Sequence, residues 1–330
     1  MTKKTKAVAL FSGGLDSILA IKLIMNQGID VVGVNFRTPF FGLDQKYINP
    51  DFEIDLKIVD ISLEYMNILK NPLHGYGKNI NPCIDCHAFM FKSAGDFMNR
   101  INASFIISGE VLGERPMSQN RGSLSLIEKM SGYSGLILRP LSALLLPETI
   151  PEKNGIVDRN KLLNISGRSR KRQIALAERM GIIKYPSPAG GCKLTEPGFA
   201  HRLKDLLSHE KYDMKDIELL KIGRHFRLDG DTKIVIGRNM GENSLIETFF
   251  KVGDILFKPK KTKGPTALLK TNADLNEELI LKACRIVSRY CDKEGYNEIE
   301  INYYHTLKHE TPLVKKILPL EDEELNLLRV

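Results

Sequence analysis

Two groups of residues in this chain have the types and spacing to do chemistry. The first is Ser12-Gly13-Gly14-Leu15-Asp16-Ser17, directly after the apolar run Ala7 to Phe11, which reads as a short buried strand. Consecutive glycines allow backbone conformations closed to other residues and let the main chain approach a phosphate. The amides that open the following helix, with the Ser12 and Ser17 hydroxyls beside them, make an anion site. The loop lacks the Gly-Lys-Ser/Thr ending whose lysine grips terminal phosphates, and it lacks the third glycine of a dinucleotide fingerprint. A glycine turn with a capping serine or aspartate is the plain structural alternative.

The second group is thiols. Asn81-Pro82-Cys83-Ile84-Asp85-Cys86-His87 sets a CxxC at an expected helix start, where the positive end of the dipole favours thiolates. Cys192 stands far away in sequence, in Ala189-Gly190-Gly191-Cys192-Lys193. Without a second CxxC the spacing offers no four-thiolate zinc site. Three thiolates can hold a cubane iron-sulfur cluster and leave one iron open to an outside ligand, which could be sulfur. A Cys83–Cys86 pair passing a persulfide, and a zinc with His87 as fourth ligand, remain open alternatives. Cys284 and Cys291 fall on or beside a late helix and read as core or surface residues. Five cysteines in a chain without a secretion signal argue against a disulfide framework.

The elements that must position these groups alternate. Leu15 to Asn26 reads as a helix stopped by Gly28, Ile29 to Phe36 as a second strand, Glu53 to Asp60 as a third and Phe105 to Ser108 as a fourth. Strand, helix, strand repetition predicts a parallel, doubly wound α/β sheet, with ligands at the carboxyl ends of its strands. Leu141 to Leu163 is a connecting excursion, Ser169 to Met180 a basic helix and Pro186 to Cys192 a loop. Later, DTKIVIG and GDILFKP read as strands separated by GR, GEN and KGP turns, with a helix over Asn276 to Tyr290 and a strand at Glu298 to Tyr304. The expected division is residues 1–205 and 206–330, the second part a smaller α+β domain.

Ser12 to Ser17 resembles the SGGxDS signature of the PP-loop ATP pyrophosphatase superfamily, a HUP-like fold, and the resemblance follows the strand order over roughly the first 200 residues. It implies that ATP is split between its α and β phosphates to adenylate a carbonyl oxygen. Ser12, Gly13, Gly14, Leu15, Asp16 and Ser17 would hold the pyrophosphate, Asp16 would help position Mg2+, and Asn35 and Phe36 would sit where the family's adenine pocket lies. A PP-loop joined to a CxxC and a lone distal cysteine is similar to the iron-sulfur-dependent tRNA thiouridine synthetases, including the short type related to 4-thiouridine synthetase. That resemblance implies a [4Fe-4S] cluster on Cys83, Cys86 and Cys192, a tRNA substrate, and sulfide or a cysteine desulfurase as sulfur donor. The chain shows no THUMP or rhodanese domain, so a cluster-bound sulfide is the expected substitute for a rhodanese cysteine. The expected product is 4-thiouridine at position 8; 2-thiouridine formation and an amide-forming PP-loop ligase with structural metal are the rival enzymes, and a non-catalytic RNA-binding adaptor is the rival outside catalysis.

Ser108 to Asn120 follows the fourth strand and so projects from the same sheet edge as the glycine loop. Gly109 belongs with the nucleotide site, Arg115 could stabilise phosphate charge during adenylation, and Gln119 could hold a ribose or uracil edge. A polar loop with a proline is also common in any protein. Net charge is +8, and it is segregated: Asn160 to Lys184 holds seven bases against one acid, and Lys221 to Lys270 eleven against five. Such patches suit a polyanion, although a solvated basic helix gives the same count. Arg168, Arg170, Lys171 and Arg172 are the first candidate phosphate contacts, with Arg139 beside them. The C-terminal part, with Gly223-Arg224-His225-Phe226-Arg227, Ile236-Gly237-Arg238-Asn239 and Lys263-Gly264-Pro265-Thr266, resembles the RNA-binding module of the NFACT family, which adds Arg224, Arg238 and Lys263. MTKKTKAVALF carries no cleavage site and no apolar run long enough to cross a bilayer, so the expected setting is the cytoplasm, without a membrane partner. A homodimer is compatible with the sequence.

Overall fold

The structure is a computed structural model, and it describes residues 5–43, 54–186, 192–209, 211–292, 297–305 and 312–330. The chain divides into two compact units, Met1–Thr195 and Glu196–Val330.

The first unit holds five parallel strands, β1 (Lys6–Leu10), β2 (Asp30–Arg37), β3 (Asp55–Asp60), β4 (Phe105–Ile107) and β5 (Ile137–Leu138), in the order β3-β2-β1-β4-β5. Its helices are α1 (Leu15–Met25), α2 (Ser62–Lys70), α3 (Cys83–Arg100), α4 (Arg121–Ser131), α5 (Ile150–Lys153) and α6 (Lys171–Arg179). β1 is central because both of its faces are apolar, as a strand covered on two sides requires. Ala7 and Ala9 face one core with Leu15, Leu19, Leu23 and Phe105, while Val8 joins Val34, Phe36, Phe91 and Ile106 in the other. The register sets Val8 opposite Val32 and Ile106, so the loops that follow β1 and β4 leave the sheet side by side.

The expected strands and helices lie within a few residues of these bounds, with the start proposed at Glu53 outside the described residues. β5 was not foreseen. The expected loop 186–192 falls almost wholly outside the described residues, of which Pro186 and Cys192 are described.

The second unit is a six-stranded antiparallel sheet: β6 (Arg224–Arg227), β7 (Thr232–Ile236), β8 (Ile255–Pro259), β9 (Ala267–Thr271), β10 (Ile299–Tyr304) and β11 (Leu313–Ile317), ordered β11-β10-β8-β9-β7-β6. Helices α7 (Pro197–Leu207), α8 (Met214–Leu219), α9 (Met240–Thr248), α10 (Glu277–Arg289) and α11 (Asp322–Leu327) accompany it. The division falls ten residues before the expected one because α7 goes with this sheet. Asp205 on α7 pairs with Arg227 at 2.7 Å and with the buried Lys233 at 2.9 Å. The GEN stretch, expected as a turn, lies in α9: the Asn239 side chain caps it by accepting from the Glu242 amide at 3.0 Å. Among the described residues no helix is long and apolar enough to cross a membrane.

Candidate nucleotide and thiol site

The glycine loop leaves β1 and ends at Gly14, the residue before α1. Gly13 has φ +76°, a backbone conformation that calls for glycine, while the only atom a Cβ would crowd is the movable Leu43 Cδ1 at 2.3 Å. Ser17 Oγ donates to the Gly14 carbonyl at 2.8 Å, and Ser12 Oγ lies 3.3 Å from both Ser17 Oγ and the Gly14 amide. These bonds fix the loop around the first amides of α1, which have no acceptor within the helix. Gly109 presses on the same turn: a Cβ on it would meet the Ser17 amide nitrogen at 2.6 Å.

Asp16 points back beneath the loop. Arg170 Nη2, at the entry to α6, donates to Asp16 Oδ2 at 3.0 Å, and its Nε stands 3.9 Å from Glu114 Oε1. Burial raises the Asp16 pKa, against the pull of Arg170 and, further off, Arg115. Burial also raises Glu114, and the Asp16 charge adds to it. Arg170 was expected to face RNA phosphate, but the ion pair turns it inward. Arg172 reaches back to the Asn164 carbonyl and side chain at 3.0 and 2.7 Å, while Arg168 and Lys171 are exposed.

Other expected roles change with the geometry. Asn35 is buried and bonds the backbone at both ends, donating to the Phe11 carbonyl at 2.7 Å and accepting from the Leu43 amide at 3.2 Å, so it staples the loop. Phe36 is core. Gln119 accepts from the Arg115 amide at 3.1 Å and is buried, which makes it a brace for the 108–120 loop, whereas Arg115 is exposed. Arg139 is only 4% exposed and ion-paired to Glu110 and Glu128 at 2.9 and 3.0 Å, so it is no phosphate grip on the surface.

The three cysteines of the first unit lie within electrostatic reach of one another. Cys83 opens α3 and Cys86 is buried one turn on. Cys192 is carried close by its segment, where the Lys193 amide donates to the Phe40 carbonyl at 3.3 Å and Asn79 Nδ2 donates to the Thr195 carbonyl at 2.8 Å. Burial pushes the Cys86 thiol up to about 12, and the neighbouring Cys192 and Cys83 push the same way. Tyr65, packed edge-on against Phe41, is fully buried, and its pKa is raised by burial and by all three cysteines. Cys83 is raised by burial and lowered by Arg115. Arg115 is therefore near enough to act on both Asp16 and Cys83. His87 is turned away: its Nδ1 lies 2.8 Å from Glu110 Oε1. Among the described residues no group of three or more His, Cys, Asp or Glu side chains is arranged to hold a single metal ion.

Sequence reasoning missed Glu110, Glu114, Tyr65 and Gln173. The two glutamates sit in the loop that was already singled out, on either side of Gly113, and that placement was the available signal. Tyr65 and Gln173 look like ordinary helix residues in sequence.

Residues 2–158 match the family described as thiamine biosynthesis protein (ThiI). Over that stretch the first unit is similar to the ThiI family. Residues 223–328 match the NFACT protein RNA binding domain, so the ThiI-type domain is followed by an NFACT-type one. An uncharacterised protein of Methanocaldococcus jannaschii is 33% identical over 115 residues, covering 33% of this chain and 42% of its own. The tRNA-specific 2-thiouridylase MnmA of Karelsulcia muelleri is 27% identical over 129 residues, 36% of this chain and 34% of that protein. This chain thus spans less than half the length of these two relatives. MnmA of Staphylococcus carnosus is 23% identical over 354 aligned positions, 93% of this chain and 90% of that one. Among solved structures, a 4-thiouridine synthetase–RNA complex with bound ATP is similar at 18% identity and a TM-score of 0.34, covering 55% of this chain and 54% of that one. At that score the likeness in shape decides nothing further.

Proposed function

We propose that this protein is an ATP-dependent tRNA sulfurtransferase. The observation that supports the reading is that Arg115 is within electrostatic reach of both Asp16 in the anion loop and Cys83, and that Cys83 and Cys192 are within such reach of Cys86. The ThiI-family match, the NFACT-type RNA-binding domain and relatives named as tRNA thiouridylases support it.

In this reading the first amides of α1 and the Ser12 and Ser17 hydroxyls hold the β and γ phosphates of ATP. A uridine carbonyl oxygen attacks the α phosphorus, pyrophosphate leaves, and the oxygen becomes a leaving group as its AMP ester. Arg115 stabilises the charge that develops on the α phosphate. Sulfur then adds at the ring carbon, and AMP departs with the oxygen. The donor set supports a cluster in preference to a single ion, because a cubane spreads three thiolates over separate corners instead of drawing them onto one centre. A [4Fe-4S] cluster on Cys83, Cys86 and Cys192 would supply an iron with an open position for sulfide. Tyr65 and Phe41 wall the thiol pocket against water, and the Arg168 and Lys171 side chains with Arg224, Arg238 and Lys263 are the RNA phosphate contacts. Sulfide or a cysteine desulfurase is the donor.

The product is 4-thiouridine at position 8. The near full-length alignment with a 2-thiouridylase favours 2-thiouridine as the second reading. Anaerobically reconstituted protein incubated with unmodified tRNA, ATP and sulfide should yield 4-thiouridine on nucleoside mass spectrometry, with one AMP per sulfur. A 2-thiouridine product selects the second reading, and iron-loaded protein that forms AMP without any thionucleoside overturns both.

A further inference from the structure

Beneath the anion loop lies a set of polar atoms that nucleotide binding alone leaves without a task. One guanidinium, Arg170, ties together two mostly buried carboxylates, at 3.0 Å from Asp16 and 3.9 Å from Glu114. Asp16 Oδ1 and Arg170 Nε are buried without a hydrogen-bond partner. Gln173, on the first turn of α6, is wholly buried beside Asp16, whose charged form its amide favours, yet neither end of that amide reaches a partner at full hydrogen-bond geometry. Buried polar atoms are costly to leave unmatched, so a cluster of them around two carboxylates points to something that binds there.

We propose that Asp16, Glu114 and the Gln173 carboxamide oxygen form a divalent-cation site, and that Arg170 occupies it in the cation's place while no nucleotide is bound. The ligands are hard oxygens, as magnesium and manganese prefer, and two carboxylates with one amide leave coordination positions for phosphate oxygens and water. The proposal rests on the loop being a nucleotide site and goes beyond it by naming the residues that hold the metal and the residue that competes with it. A guanidinium already neutralises one carboxylate charge and Arg115 lies near both groups, so a free dication gains little by entering. Nucleotide phosphates change that balance. Metal and nucleotide enter together, and the displaced Arg170 is left facing the phosphates that arrived.

The test uses the full chain without nucleotide, titrated with Mn2+, with free Mn2+ read by electron paramagnetic resonance. Wild type should bind weakly. Arg170→Met, which keeps the apolar stem and removes the charge, should bind at least about tenfold more tightly, and adding Glu114→Gln should abolish the gain. A folded Arg170→Met with unchanged Mn2+ affinity, or a gain that survives Glu114→Gln, overturns the proposal. Should Arg170→Met fail to fold by circular dichroism, the Mg2+ concentration needed for half-maximal ATP binding should rise about tenfold in Glu114→Gln; no change there overturns it equally. Because the Mn2+ titration contains no nucleotide, a loop that does not take ATP shows itself separately, as absent ATP binding with cation binding intact.

Discussion

Gly109 lies so close to Ser17 that a single methyl group on it would stand 2.6 Å from the Ser17 amide nitrogen and 2.8 Å from its Cα. Both atoms are backbone, so no side chain can swing aside. Gly109→Ala must shift either the first turn of α1 or the loop after β4, at an overpacking cost of about 1–3 kcal/mol. ATP affinity measured by calorimetry should drop about tenfold or more. Gly230→Ala, where a Cβ would meet nothing within 4 Å, should leave it unchanged.

The triad His87–Glu110–Arg139 predicts an acid-sensitive core. Burial alone would raise the Glu110 pKa, but Arg139 and His87 outweigh it and hold the carboxyl at about 2, below the ordinary 4.5. The folded state therefore binds that proton less tightly than the unfolded chain. Its contribution, on the order of 3 kcal/mol, is complete above pH 4.5 and is lost as the pH falls from there toward 2. Urea midpoints for wild type should fall between pH 6 and pH 3.5 by more than those for Glu110→Gln. Arg139→Met strands Glu110 in the core and should cost about 3–5 kcal/mol at neutral pH.

What the sequence revealed follows from the range of the interactions. β1 and β2 were legible because strands covered on both faces are continuous apolar runs, and the glycine loop because φ +76° at Gly13 admits few other residues. β5 is only Ile137–Leu138, too short to show a period. α9 was hidden behind Gly241, and only the cap on Asn239 betrays it. Glu110 meets partners 23 and 29 residues away, and Arg170 meets Asp16 across 154. No local pattern encodes such pairs, so an inward-turned arginine in a basic run looks like its solvated neighbours. Arg139 was misread for the same reason.

That difference among the basic residues is measurable in RNA binding. Arg168 and Lys171 are exposed, and so is Lys263, whereas Arg170 is turned to Asp16. Replacing Arg168, Lys171 or Lys263 with Ala should each reduce the log-log salt slope of tRNA binding by up to about one unit. Arg170→Met should leave the slope unchanged. An equal loss from Arg170→Met would place its side chain on RNA instead of in the nucleotide site.

The cysteines separate by unit, and iron content should separate with them. Cys83, Cys86 and Cys192 belong to the first unit, where all three act on Tyr65, whereas Cys284 and Cys291 are buried in the core between α10 and the antiparallel sheet. After anaerobic reconstitution, Ser at any of positions 83, 86 or 192 should lower iron and acid-labile sulfide to background and abolish thionucleoside formation. Such proteins should still bind ATP, because the loop from Ser12 to Ser17 is braced by its own hydrogen bonds. Cys284→Ala should keep its iron while losing stability, since removing a wholly buried group from a packed core leaves a void. If Cys192→Ser protein without iron still thiolates tRNA when a cysteine desulfurase, free cysteine and a thiol reductant replace sulfide, the desulfurase persulfide hands its outer sulfur to Cys83. Cys86 then displaces that sulfur onto the adenylated uridine as a Cys83–Cys86 disulfide forms, and the added thiol reduces the disulfide. In that case Cys83→Ser, and not Cys192→Ser, would abolish the product.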